Sequence, residues 1–78
     1  MNSWEIKENR LYKNFVFKSF VDAFVFMTKV AMEAERMNHH PSWSNVYNTV
    51  VIELCTHEAG NTVTEKDKQL ADFIDSLI

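Results

Sequence analysis

The chain has 78 residues, a net charge of −3 and a single cysteine. An acidic chain lacks the basic patch that nucleic-acid backbones require, one cysteine cannot close an intramolecular disulfide, and no apolar run approaches the roughly 20 residues that span a bilayer. Chains this short bury only about 60% of the surface their unfolded form exposes, so with 46% hydrophobic residues the expected support is a homo-oligomer, dimer or tetramer, in which another copy covers apolar surface.

The first eight residues carry charges and no signal-peptide core, and a lone free cysteine suits the reducing cytoplasm. One Gly and one Pro leave no flexible or proline-rich linker, so residues 1–78 are read as one domain. Trp4-Glu5-Ile6-Lys7 alternates apolar and polar, as a short strand does, and Glu8-Asn9-Arg10 has the polarity of a turn. Leu11 to Lys18 alternates again, with Leu11, Phe15 and Phe17 on one face, which predicts an antiparallel hairpin.

The period then lengthens. Phe20, Ala23, Phe24, Met27, Val30, Ala31, Ala34 and Met37 recur every three or four residues and predict one apolar helix stripe, with Ser19 as N-cap and Asp22 as its capping-box acid. Val21, Val25 and Phe26 fall partly off that stripe. They predict packing beyond the helix's own sheet, or, for Phe26, a wider stripe. The helix should end near Asn38, because Pro41 disfavours helix in the residue before it.

A loop is expected over Asn38 to Ser44. From Val46 to Thr56 period two returns, with Asn48, Val50, Ile52 and Leu54 on one face and Thr49, Val51, Glu53 and Cys55 on the other. The β-branched run Val50-Val51-Ile52 favours strand, as one long element or two broken near Asn48. Glu58-Ala59-Gly60-Asn61 has turn chemistry. Thr64 then caps a helix from Glu65 to about Leu77, with Asp67 as capping-box acid and Leu70, Ala71, Phe73, Ile74, Leu77 and Ile78 on its buried side. The expected fold is α+β: a three- to four-stranded antiparallel sheet with two helices packed on one face.

All three histidines fall in loops or at element ends: His39 and His40 after the long helix, His57 where the last strand runs out. In a two-layer fold a helix end and a neighbouring strand end can meet at one rim, and imidazoles gathered there act as acid or base near neutral pH. The bland alternative is three solvated loop residues. A metal is not expected, since adjacent histidines seldom both reach one ion and there is no zinc-type spacing of cysteines and histidines. Trp43, read as a loop residue beside His40, is either a wall for a flat aromatic ligand or a core residue, and Tyr47 is read as core or interface. Glu35 lies one helical turn before His39 and is either an orienting carboxylate or a surface one. Asp67 has its structural role as a cap, and Cys55 has no base beside it in sequence.

The succession Glu35, His39-His40-Pro41, Trp43, Asn45-Val46-Tyr47-Asn48, Thr56-His57 and Asp67 resembles the signature of the pterin-4a-carbinolamine dehydratases. Upstream, Phe15-x-Phe17-x-x-Phe20, Ala23-Phe24 and Ala34-Glu35 resemble that family too, so the likeness covers nearly the whole chain. Family members commonly carry a helix before the first strand, and this chain starts almost at the strand, so two helices are expected rather than three. The turn from Glu58 to Thr64 also differs from the family's usual Gly-Leu-Thr or Gly-Leu-Ser ending.

The resemblance implies removal of water from 4a-hydroxytetrahydropterin to give quinonoid dihydropterin, in support of tetrahydrobiopterin recycling. The pterin is then the substrate and no further cofactor is required. It implies His40 and His57 as the acid–base pair, with His39 assisting. Glu35 and Pro41 would set the loop or the pterin, and Trp43 would shape the pocket. The backbone at Cys55-Thr56 would meet the pterin's amide-like edge, and Asp67 would hold His57 in one tautomer. The alternative reading is a non-enzymatic dimerisation module that docks through a helical face including Val21, Val25 and Phe26.

Overall fold

Alternation in the first sixteen residues builds two strands of a sheet, β1 (Glu5–Lys7) and β2 (Arg10–Val16), in a computed structural model that describes residues 3–78. Met1 and Asn2, part of the segment read above as lacking a signal core, lie outside the described residues. Glu8 and Asn9 join the two strands, both with positive φ (51° and 64°), as a two-residue hairpin of right-handed twist requires. Helix α1 (Phe20–Met37) follows, then β3 (Ser42–Val46), β4 (Thr49–Leu54) and helix α2 (Glu65–Ser76). The sheet is antiparallel throughout, in the order β1-β2-β4-β3. Apart from a one-turn 3-10 helix at His57–Ala59, α1 and α2 are the helices among the described residues.

Register puts Leu11 opposite Leu54 and Phe15 opposite Val50. With Ile52, these residues form the sheet's buried face, against Ala23, Phe26, Val30 and Ala34 of α1 and Leu70, Ala71 and Ile74 of α2. Lys13 lies opposite Ile52 on the same face. Its Nζ stands 2.8 Å from Asp75 of α2, whose carboxylate also accepts the Trp4 indole N–H at 3.0 and 3.1 Å. One α2 carboxylate thus ties down both the β2 strand and the residue preceding β1.

Ile78, expected on the buried side of the last helix, lies beyond α2 and is 72% exposed. Two further expectations need correction. The buried stripe of α1 runs Ala23, Phe26, Val30, Ala34, whereas Phe20 and Phe24 are about half exposed (48% and 55%) and Ala31 is exposed. Two adjacent stripes of similar hydrophobicity share this helix. The tie is broken by the rings of Phe15 and Phe17, whose centroids lie 5.0 and 4.8 Å from that of Phe26. Phe26 therefore belongs to the core and is not available to a docking surface.

The second correction concerns the loop after α1, which is shorter than expected: β3 already begins at Ser42 and contains Trp43. Trp43 pairs with Ile52 and packs half-buried against the core. The period-two segment breaks into a hairpin at Tyr47-Asn48. There the Asn45 amide donates to the carbonyls of Tyr47 (3.1 Å) and Thr49 (2.9 Å). Tyr47, at φ 51°, projects from the hairpin tip and is not a core residue.

Candidate functional site

The end of α1 sets the histidines. Asn38 adopts the left-handed conformation (φ 52°, ψ 44°), which asparagine tolerates better than most residues. Its N–H donates to the Glu35 carbonyl at 3.0 Å and the His39 N–H to the Ala34 carbonyl at 2.9 Å. This is the Schellman closure. It reverses the chain so that consecutive side chains diverge: His39 turns inward (6% exposed) and His40 outward. His40 Nε2 lies 2.9 Å from Glu35 Oε1. Both groups are well exposed, so the pair orients the ring more than it stabilises the fold.

Beneath His39 lies Asp67, fully buried in the first turn of α2. Its Oδ1 is 2.6 Å from His39 Nε2. Its Oδ2 accepts the Thr56 hydroxyl at 2.7 Å and the Thr64 backbone N–H at 2.8 Å. Thr56 and Thr64 hydroxyls are 2.6 Å apart, and Thr64 with Asp67 completes the expected capping box. Asp67 thus contacts His39, not the His57 it was expected to hold. The reason lies after β4. The Thr56 N–H bonds to the Thr62 carbonyl at 2.8 Å, directing the Thr56 hydroxyl inward to Asp67 while His57 opens the exposed 3-10 turn. Gly60 and Asn61 close that turn at φ 84° and 60°, the positive values their residue types suit.

The three histidines come together on one rim. A depression of about 340 Å³ is lined by Asn38, His39, His40, Cys55, His57 and Glu58. A second, of about 250 Å³, adds Arg10, Pro41, Ser42 and Glu53 and shares His40, Cys55 and His57 with the first. The three shared residues place the two depressions side by side, as adjoining lobes of the candidate site. Glu35 reaches it only through His40, and Trp43 lines a separate hollow with Ser42, Ser44, Val51 and Glu53.

Residues around the site that sequence reasoning did not read as functional are Arg10, Asn38, Ser42, Glu53 and Glu58, and Thr64 was read only as a helix cap. Arg10 Nη1 lies 2.8 Å from Glu53 Oε1. That hydrogen bond, ahead of the nearby charges, holds the guanidinium pKa above its ordinary value. Only the β2–β4 register brings Arg10 to the site, and no short-range pattern encodes that register. Among the described residues no three His, Cys, Asp or Glu side chains are placed to hold a metal ion, and no helix is long and apolar enough to cross a membrane.

Comparison with known proteins places this arrangement. The family model described as pterin 4 alpha carbinolamine dehydratase matches residues 1–77. The chain belongs to that family. A pterin-4-alpha-carbinolamine dehydratase of Synechococcus sp. (strain WH7803), so named provisionally, is 54% identical over 74 residues, covering 95% of this chain and 78% of the relative. One from Solibacter usitatus (strain Ellin6076), with the same provisional name, is 47% identical over 76 residues, covering 97% and 79%. Among solved structures, a transcriptional coactivator/pterin dehydratase from Brucella melitensis superposes with a TM-score of 0.92 at 38% identity, covering 96% of this chain and 81% of that one. A pterin dehydratase-like protein described as a RuBisCO assembly factor in the alpha-carboxysome gives 0.81 at 25% identity, covering 97% and 89%. The α+β fold of a pterin dehydratase is therefore the fold of this chain.

Proposed function

We propose that this chain is a 4a-hydroxytetrahydropterin dehydratase working by histidine acid–base catalysis, a reading carried by the convergence of His39, His40 and His57 on one rim. In the reaction an acid protonates the C4a hydroxyl, the C4a–O bond breaks and water departs. A base takes the N5 proton as the C4a=N5 double bond forms. Protons and charge balance without a metal or a further cofactor. His40 and His57, which border both lobes, are the groups assigned to the two transfers. Cys55 lies with them, where the strand end offers backbone groups to the amide-like edge of the pterin. Pro41 fixes the His40 loop at the lip of the second lobe. With its thiol free, the proposed compartment is the cytoplasm.

Stopped-flow absorbance of freshly generated 4a-hydroxytetrahydropterin tests the reading. Wild type should accelerate the loss of water, and His40→Ala or His57→Ala should each remove about 10²–10⁴-fold of that acceleration, the usual range for a positioned acid or base. A folded wild type that leaves the spontaneous rate unchanged would sink the proposal.

A second role is favoured by one surface. Phe20, Val21, Phe24, Val25 and Met32 form an exposed apolar strip along α1, and we infer that a second copy of the chain covers it. Sedimentation velocity at micromolar concentration should give an oligomer for wild type and smaller species for Phe24→Glu. A monomeric wild type would leave the strip free for another partner and favour the interaction-module reading.

A further inference from the structure

The hydrogens of the buried network can be assigned one by one. With Asp67 as a carboxylate, both of its oxygens only accept. Thr56 gives its single hydroxyl hydrogen to Oδ2 at 2.7 Å. Across the 2.6 Å contact between the two threonine hydroxyls, Thr64 must therefore be the donor. His39 gives its Nε2 hydrogen to Oδ1 at 2.6 Å. In the neutral imidazole, which carries one N–H, Nδ1 of His39 is then left as an acceptor.

The position of that acceptor follows from the same network. Nδ1 has no hydrogen-bond partner among the described residues, yet none of their fully buried side-chain nitrogens or oxygens lacks one. Nδ1 therefore reaches the surface. His39 is only 6% exposed, and the depression it lines is shared with His40, Cys55 and His57. The small opening left to His39 includes Nδ1, and His39 lines the candidate site.

What keeps the ring in this state is held in turn by others. The orientation of Asp67 Oδ2 depends on one backbone N–H and one hydroxyl. The hydroxyl of Thr56 is itself held by that of Thr64. We propose that Thr56 and Thr64 are positioning residues. Through Asp67 their hydroxyls lock His39 in the Nε2–H tautomer, so that Nδ1 accepts a hydrogen bond from an N–H edge of the bound substrate. The substrate half of this statement rests on the dehydratase reading; the tautomer lock does not. A hydrogen bond to one ring nitrogen sets the state of the other, and a fully satisfied buried network holds its members rigid.

The experiment uses full-length protein with 15N-labelled histidine and long-range 1H–15N spectra, alongside the dehydration assay. Wild type should show His39 as the Nε2–H tautomer with an acceptor-type Nδ1. Thr56→Val should move His39 toward a tautomer mixture and lower kcat/KM by about tenfold, with KM raised, as loss of a hydrogen bond to bound substrate does. Thr56→Ser, which restores the hydroxyl, should recover both signals. If Thr56→Val does not fold, Thr64→Val, which keeps the backbone N–H on Asp67, is read in the same way against Thr64→Ser. A folded valine variant with the wild-type His39 spectrum, or a serine variant no better than valine, overturns the proposal. So does a wild type with His39 in the Nδ1–H form, whatever its turnover. A wild type that shows the locked tautomer, its loss in Thr56→Val and no dehydration removes the dehydratase reading and leaves the lock standing.

Discussion

Asp67→Ala is expected to lower stability by about 3–5 kcal/mol, the cost of removing one partner from a buried ionic or hydrogen-bonded set. The residue has no exposed surface. Its loss leaves the Thr56 hydroxyl, the Thr64 N–H and the His39 ring without their acceptor. The same substitution deletes the capping box of α2. For a domain of this size each kcal/mol lowers Tm by about 4–8 °C, so far-UV circular dichroism should record a fall of more than about 12 °C at fixed protein concentration. Asp67→Asn is expected to recover little of the loss, because three donors converge on the carboxylate and an amide offers only one oxygen to them. A melting point within a few degrees of wild type for Asp67→Ala would show that the network contributes little to the fold.

Phe26→Ala should be comparably damaging, at about 3–5 kcal/mol for a large aromatic removed from a packed core. Phe26 is 4% exposed and packs its ring, tilted by 41°, against those of Phe15 and Phe17. Phe24, two residues earlier, is more than half exposed, so Phe24→Ala should stay within about 1 kcal/mol at low concentration. Urea unfolding at two protein concentrations separates the roles. The Phe26 loss should not depend on concentration, whereas any loss at Phe24 should, since only association couples stability to protein concentration. Equal, concentration-independent losses at both positions would contradict the burial assigned to the helix.

These contrasts mark where sequence legibility ends. The strands before α1, the alternation that buries Val50, Ile52 and Leu54, the Ser19 N-cap and the capping box at Thr64-Asp67 all rest on neighbours within four residues, and such signals can be read off a chain. The Ser19 hydroxyl does accept the Asp22 N–H, at 3.0 Å. Choices that depend on distant residues were not legible. Phe26 is core because Phe15 and Phe17 face it, and Lys13 is tolerated on the buried face because Asp75 answers it from 62 residues away. β3 was hidden by its serines, which put polar side chains on the open face of an edge strand and read as loop. At the site, the grouping of the three histidines followed from element ends alone. The partner of Asp67 did not, because His39 and His57 are both compatible with its spacing and only the turn at Thr56–Thr62 decides between them.

The 28-residue separation of His39 and Asp67 also orders the site in time. During synthesis, β1 to β4 and all three histidines emerge before α2. A nascent chain that has reached Thr62 carries every imidazole and no acceptor for His39. Its sheet likewise lacks the cover of Leu70, Ala71 and Ile74. Synthesis of α2 thus closes the core and completes the site in one step, so a chain terminated before it would have neither.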